Sequence, residues 1–303
     1  MKLRNAFIVM LALLAVGATN PLRAQELTKV RVSLGDVSLN KLIFAVAEDA
    51  GIFKKNGLDV EMYISPDAAA RSARAGVFIP KERQGRPSGK VDFNIGGGSP
   101  MIVGRATDAT AGDRIILAST DHVVRWHIVA QKEITKPEQL KGKRLGFSGV
   151  GAMSHFEALA FCQLMKWDPN QDIALMENAL ALDTFEDRTV DAMVADELVY
   201  TMGMSKGYRP LVDLGQYNIP IPGSGVTASR KWVNANKDKV RKFLKATLEA
   251  IALLKNNKTV VFGTINKWYA ISNREQQEML FQDMTKLPRK PDRKSTRLNS
   301  SHT

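Results

Sequence analysis

The sequence predicts an α/β protein built as two lobes joined by two linking segments. Three observations lead there. Short apolar strands alternate with helical stretches along the chain, two polar or Pro-rich connectors interrupt that array, and 303 residues is about twice the usual single-domain length. Hydrophobic residues at 44% and charged residues at 24% give ordinary globular composition, which excludes a disordered chain. A single cysteine, Cys162, excludes an intramolecular disulfide and a multi-thiolate metal centre.

The elements follow in order. Residues 29–34 (KVRVSL) alternate polar and apolar, the period of a strand. Leu42, Ile43, Val46 and Ala50 stand at helical spacing within 39–50, and Gly51 marks the stop. Strands are expected at 59–64 (DVEMYI) and 91–95 (VDFNI), the latter leading through a glycine-rich turn into a helix. Further strands at 114–119 and 127–131 flank the polar link 120–125. Next come a strand at 144–147, a helix at 152–167, a strand at 172–177, a helix at 180–188 and a strand at 191–195. A helix at 197–206, a strand at 210–214, a Pro/Gly-rich link at 219–225 and a long helix at 237–256 complete the run. Ser272 and Glu275 have the spacing of a capping box opening a last helix. The connectors divide the chain into a first lobe at 25–119, a second at 120–214, and a return to the first at 215–291. Two crossings make a hinge, the geometry of a clamp closing on a small ligand.

Both ends read as segments outside the working fold. Lys2 and Arg4, an uncharged run over 6–16, and Leu22-Arg23-Ala24 before Gln25 form the pattern of a secretory signal peptide over residues 1–24. The apolar run falls short of the roughly 20 residues that span a bilayer. No cysteine lies at the cleavage point for a lipid anchor. Residues 292–302 (DRKSTRLNSSH) read as a translated sequencing adapter, which places the native sequence up to Pro291. Residues 1–24 carry three basic groups and no acids, and 292–303 carry three basic against one acidic. The formal charge of +12 therefore falls to +7 over 25–291. Much of that sits in one segment, where Arg71, Arg74, Lys81, Arg83, Arg86 and Lys90 face only Glu82. A nucleic-acid surface would spread its basic groups over a face with stacking aromatics, so nucleic acid is excluded as partner.

Ligands of open parallel sheets sit beyond the carboxyl ends of strands, where glycine turns enter helices. Two such turns stand out: Gly96, Gly97, Gly98, Ser99 and Pro100 in the first lobe, and Ser148, Gly149, Val150, Gly151, Ala152, Met153 and Ser154 in the second. Glycines also serve merely to make tight turns. Two turns, one per lobe on the cleft side, favour a binding role, with backbone N–H groups and hydroxyls turned toward an anionic oxygen. Trp126 lies at the hinge as a cleft aromatic, and Asp196 ends a strand. The pair Asp196 and Glu197 also suits the positive end of a helix without any ligand. Neither a dinucleotide fingerprint nor a phosphate-loop pattern is present, and His122, His127 and His155 form no metal-ligating set. No cofactor, no metal and no catalytic group is expected.

Residues 47–60 (AEDAGIFKKNGLDV) resemble the opening signature of periplasmic solute-binding proteins of ABC importers, in the nitrate/sulfonate/taurine and thiamine-precursor class. Further matches in family order are 90–98 (KVDFNIGGG), 135–146 (TKPEQLKGKRLG), 190–193 (VDAM) and 228–230 (ASR). The resemblance implies a type II periplasmic-binding fold and delivery of a small anionic or polar organic ligand to an inner-membrane permease. The implied protein is a periplasmic monomer. Its expected ligand-binding residues are Asn40, Gly97, Gly98, Ser99, Trp126, Ser148, Gly149, Gly151, Ala152, Ser154 and Asp196. The chain departs from the family pattern at 68–90, longer and more basic than usual, and at Pro291, where the last family helices are cut. Two alternatives carry a different function: a thiamine-precursor (pyrimidine) synthase-like enzyme on the same fold, and a ligand-sensing domain of a membrane signalling system.

Overall fold

The computed structural model describes residues 26–96, 98–107 and 112–286. The expected signal peptide, Gly97 and the basic tail lie outside the described residues. Ten strands are assigned: β1 (Thr28–Leu34), β2 (Leu58–Ile64), β3 (Phe93–Gly96), β4 (Arg114–Ser119), β5 (His127–Ala130), β6 (Arg144–Gly146), β7 (Ala174–Met176), β8 (Ala192–Ala195), β9 (Arg209–Asp213) and β10 (Gly225–Ser229). They form two five-stranded sheets, ordered β2-β1-β3-β10-β4 and β7-β6-β8-β5-β9. In the first sheet β1 runs parallel to β2 and β3, while β10 is antiparallel to β3 and β4. The second repeats the plan: β6 is parallel to β7 and β8, and β5 is antiparallel to β8 and β9. Each antiparallel strand is the first one laid down after the chain changes lobe.

Sequence dictates how these strands sit. In β1 the residues Val30, Val32 and Leu34 turn one buried face inward, as alternation predicts. All four residues of β8 (AMVA) are buried, the run of a central strand covered on both faces. Among the described residues eleven α-helices cover the sheets: α1 (Leu42–Asp49), α2 (Ile52–Lys55), α3 (Pro66–Arg74), α4 (Ser99–Thr107), α5 (Met153–Met165), α6 (Asp183–Glu186), α7 (Glu197–Ser205), α8 (Arg230–Ala235), α9 (Lys237–Asn256), α10 (Lys258–Tyr269) and α11 (Arg274–Thr285). In α9 the buried Val240, Phe243, Thr247, Ala250 and Leu254 recur every three or four residues and face the core. Phe243 is its centre, stacked on Phe44, Phe53 and Phe93 with ring centroids 5.9, 5.4 and 4.3 Å away. Among the described residues no helix is long and apolar enough to cross a membrane.

The chain crosses between sheets at 120–126 and returns at 214–224. The two crossings run antiparallel and hydrogen-bond to each other. The Val124 amide donates to the Ile219 carbonyl (2.9 Å), the Ile221 amide to His122 (3.0 Å), and the Thr120 amide to Ser224 (2.8 Å). The hinge is thus a two-stranded ribbon.

Several local expectations change. The sequence reading places a link up to Gly225 and then a helix. Residues 225–229 instead form β10, buried between β3 and β4. The helix expected at 180–188 shrinks to the four residues of α6, and Arg188 turns left-handed at φ 53°. The last helix is capped one residue later than expected, by the Asn273 side chain accepting from the Gln276 amide. α10 lies where no helix was expected. The basic stretch 68–90 begins as the helix α3, capped by Ser65. It is then pinned by Arg74 to Asp183 (3.0 Å) and by Arg83 to Glu48 (3.2 Å), the Arg83 guanidinium lying over the Trp268 ring.

Replacing Phe243 by Ala removes the ring on which three others stack. The expected loss is about 3–5 kcal/mol of stability, read as a lower urea midpoint at unchanged slope.

Candidate ligand-binding cleft

The parallel strands of both sheets end at a common gap of about 580 Å³, lined from both lobes and from the hinge ribbon. β1 opens into Asp36, Ser38, Asn40 and Lys41, and β3 into Gly96 and Pro100. From the second lobe β6 opens into Ser148 and Gly149, and β8 into Asp196 and Glu197. Val37, Val77, Trp126, Leu180, Leu198 and Ile221 give the wall an apolar component. The size suits an organic molecule with a hydrophobic body.

The NMT1/THI5 like family matches over residues 39–259. The chain belongs to this family. Solved structures agree on the fold of the NMT1/THI5-like chain. The periplasmic aliphatic sulphonate binding protein SsuA from Escherichia coli superposes with a TM-score of 0.65 at 18% identity, over 84% of this chain and 83% of that one. The periplasmic nitrate-binding protein NrtA from Synechocystis PCC 6803 gives 0.63 at 17%, over 85% and 69%. The desulfurization enzyme DSZB gives 0.56 at 14%, over 88% of each chain. No curated protein sequence matches. The expected type II periplasmic-binding fold is the fold found.

The sequence-predicted residues divide in this NMT1/THI5-like cleft. Asn40, Trp126, Ser148, Gly149, Ala152 and Asp196 are on its wall. Gly98, Ser99, Gly151 and Ser154 are not, and Gly97 lies outside the described residues. Gly98 and Ser99 serve the hinge. The Ser99 amide donates to the Pro222 carbonyl (2.8 Å), and Gly98, at φ +66°, lies so close to the returning crossing that an added Cβ would meet the Gly223 oxygen at 2.0 Å. Ser154 is fully buried, its hydroxyl accepting from the Ser148 amide (2.9 Å) and pairing with the Ser148 hydroxyl (2.7 Å). It holds Ser148 in place and does not face the gap.

The turn in the second lobe keeps most of its own donors. The Val150 amide donates to Glu177 (3.0 Å), the Gly151 amide to Nδ1 of His155 (3.2 Å), and the Ala152 amide to the Gly149 carbonyl (3.0 Å). The expected cradle of free N–H groups for an anion is therefore largely consumed. Asp196 caps α7, accepting from the Val199 amide (2.9 Å), while also lining the gap.

What the sequence reading missed is charge. Lys41, nearly fully buried, has its ammonium on Asp36 (2.8 Å) and on the Ser38 and Ser224 hydroxyls (2.8 and 2.6 Å). Burial acts against the Asp36 carboxylate, but the Lys41 ammonium and the Ser38 hydrogen bonds outweigh it and hold its pKa below the usual value. Arg125 on the first crossing pairs with Asp121 (3.1 Å) and Glu197 (2.6 Å) and donates to the Asp283 carbonyl of α11 (3.1 Å). Glu157 of α5 lines the gap with Asp196 and Glu197. Burial pushes Asp196 up to about 6 and, against the pull of Arg125, Glu197 up to about 7. Only Asp196 and Glu197 of these had a readable signal, as an acidic pair at a strand end opening a helix.

A carboxyl that holds its proton more tightly in the fold stabilises the fold below its unfolded pKa. That contribution disappears as pH rises through the folded value. Asp196 and Glu197 therefore make the protein lose stability between about pH 4 and 7. Glu197→Gln should flatten that slope in urea titrations across the range. Arg125→Met leaves Asp121 and Glu197 buried without their partner, and should cost about 3–5 kcal/mol at pH 8, measured by the same unfolding.

Proposed function

We propose that the chain is an exported solute-binding protein that captures a small organic ligand between its lobes and presents it to an ABC-importer permease. The observation that carries the reading is the gap at the carboxyl ends of both sheets, walled from each lobe and floored by a hinge of two crossings. A ligand in such a gap touches both lobes only when they are closed, so binding favours closure by that difference in contacts. Asn40, Trp126, Ser148, Gly149, Ala152 and Asp196 contact the ligand, Trp126 supplying a flat apolar surface beside the hinge. Ser154, Ser99 and Gly98 act behind them by fixing the two turns. The N-terminal 24 residues direct export, the periplasm is the working compartment, and the monomer is the working form. The binding-protein folds it superposes on support this role, and the desulfurization enzyme DSZB shares the fold as well.

Native mass spectrometry of the full chain isolated from its host should show one small molecule retained per chain. Trp126→Ala should weaken its rebinding by roughly tenfold, about 1.4 kcal/mol, in calorimetry. Retention of nothing overturns the capture reading. Release of a chemically altered compound supports the enzyme alternative.

A further inference from the structure

Glu157 sits in the wall of the cleft and is 2% exposed, yet its Oε2 has no hydrogen-bond partner. Buried carboxyl oxygens are nearly always bonded, because an orphan forfeits its hydration without return. The groups that could serve it inside the protein are committed elsewhere. Arg125 is held by Asp121, Glu197 and the Asp283 carbonyl, and Lys41 by Asp36, Ser38 and Ser224. Arg74, also on the wall, is held by Asp183. Arg71 makes no hydrogen bond or ion pair among the described residues, but it is exposed on α3 at the lobe-one side of the gap.

We propose that the cleft recognises an organic ligand through a protonated nitrogen, an amine or amidinium whose N–H donates to the Glu157 carboxylate. The proposal rests on the capture reading and names the charge of what is captured. Four facts support it together. The wall carries Asp36, Asp121, Glu157, Asp196 and Glu197 against Lys41, Arg71, Arg74 and Arg125, and three of those four cations are already paired. In the second-lobe turn the Ser148, Val150 and Gly151 amides, which would hold an anion, donate to Ser154, Glu177 and His155. Among the described residues no group of three His, Cys, Asp or Glu is placed to hold a metal ion, which leaves an organic cation. The apolar walls suit the carbon body of such a ligand.

The charges facing Glu157 also set the direction of a pH effect. Burial raises its pKa well above the usual value, reinforced by Glu197, Asp121 and Asp196 and opposed by Arg125. Lys41 and Asp36 face Asp196 from the first lobe. A bound cation favours the ionised carboxylates and so expels their protons. Affinity for it must then rise with pH across the range in which Glu157, Asp196 and Glu197 titrate, while an anion would bind more tightly at low pH.

The test uses the full chain with benzylammonium, benzamidinium and benzenesulfonate as probes, in thermal shift and calorimetry at pH 5 and pH 8. Benzylammonium or benzamidinium should raise the melting temperature, more at pH 8 than at pH 5. Glu157→Gln should cut their affinity at least tenfold while the unliganded protein melts no lower than the parent. Four outcomes overturn the assignment: neither cation binds, a cation binds more tightly at pH 5, Glu157→Gln binds it unchanged, or benzenesulfonate alone stabilises. The wild-type pH comparison decides the matter even if the variant folds poorly. Binding of benzenesulfonate alone leaves the capture reading standing. The capture reading itself fails if native protein retains no small molecule or releases it chemically altered.

Discussion

A guanidinium taken out of water must recover its lost hydration from fixed partners, and the position of Arg125 makes that requirement organise the molecule. Its chain segment is the first crossing between lobes. Its partners are Asp121 on the same crossing, Glu197 at the start of α7, and a carbonyl of α11. One side chain thus joins the hinge, a helix of the second lobe and the helix α11 that packs on it. The same pairing removes a positive charge from the cleft floor, so the electrostatic character of the binding surface follows from a structural need.

The glycine turns take their meaning from this arrangement. In the first lobe Gly98 is small because the returning crossing passes directly over it, and Ser99 anchors that crossing by two contacts to Pro222. In the second lobe Ser154 bonds Ser148, and Glu177 and His155 hold the Val150 and Gly151 amides that follow. Glycine-rich strand-to-helix turns are common anion sites when their N–H groups are open. Here the turns are architecture first, and five carboxyl groups stand among the polar residues that face the gap.

Much of the fold was legible because its signals are local. Alternation in KVRVSL, the helical spacing of Leu42, Ile43 and Val46, and the polar stretch at 120–125 each report on their own neighbourhood. β10 was not legible: VTAS follows Gly225 in a Pro/Gly-rich stretch, and only the slot between β3 and β4 makes it a strand. α10 was hidden because its cap, Asn257, directly follows the end of α9 and no breaker separates them. In the site, Ser148 and Asp196 were readable as residues at the ends of strands, and Asn40 only through the family resemblance. Lys41, Arg125 and Glu157 were not, since each lies in a sequence context that suits a solvated charge. Their burial is decided by segments up to 183 residues away, as with Lys41 and Ser224.

The strand order carries a consequence for how the molecule comes into being. β3 and β4 are not neighbours in the first sheet; the slot between them belongs to β10, which is made just over a hundred residues after β4. The second sheet draws all five of its strands from one uninterrupted stretch. A chain emerging from a ribosome or a translocation pore can therefore finish its second lobe while the first still shows two unmatched edges. The half that begins first is completed last, and its open strands need shelter in the interval.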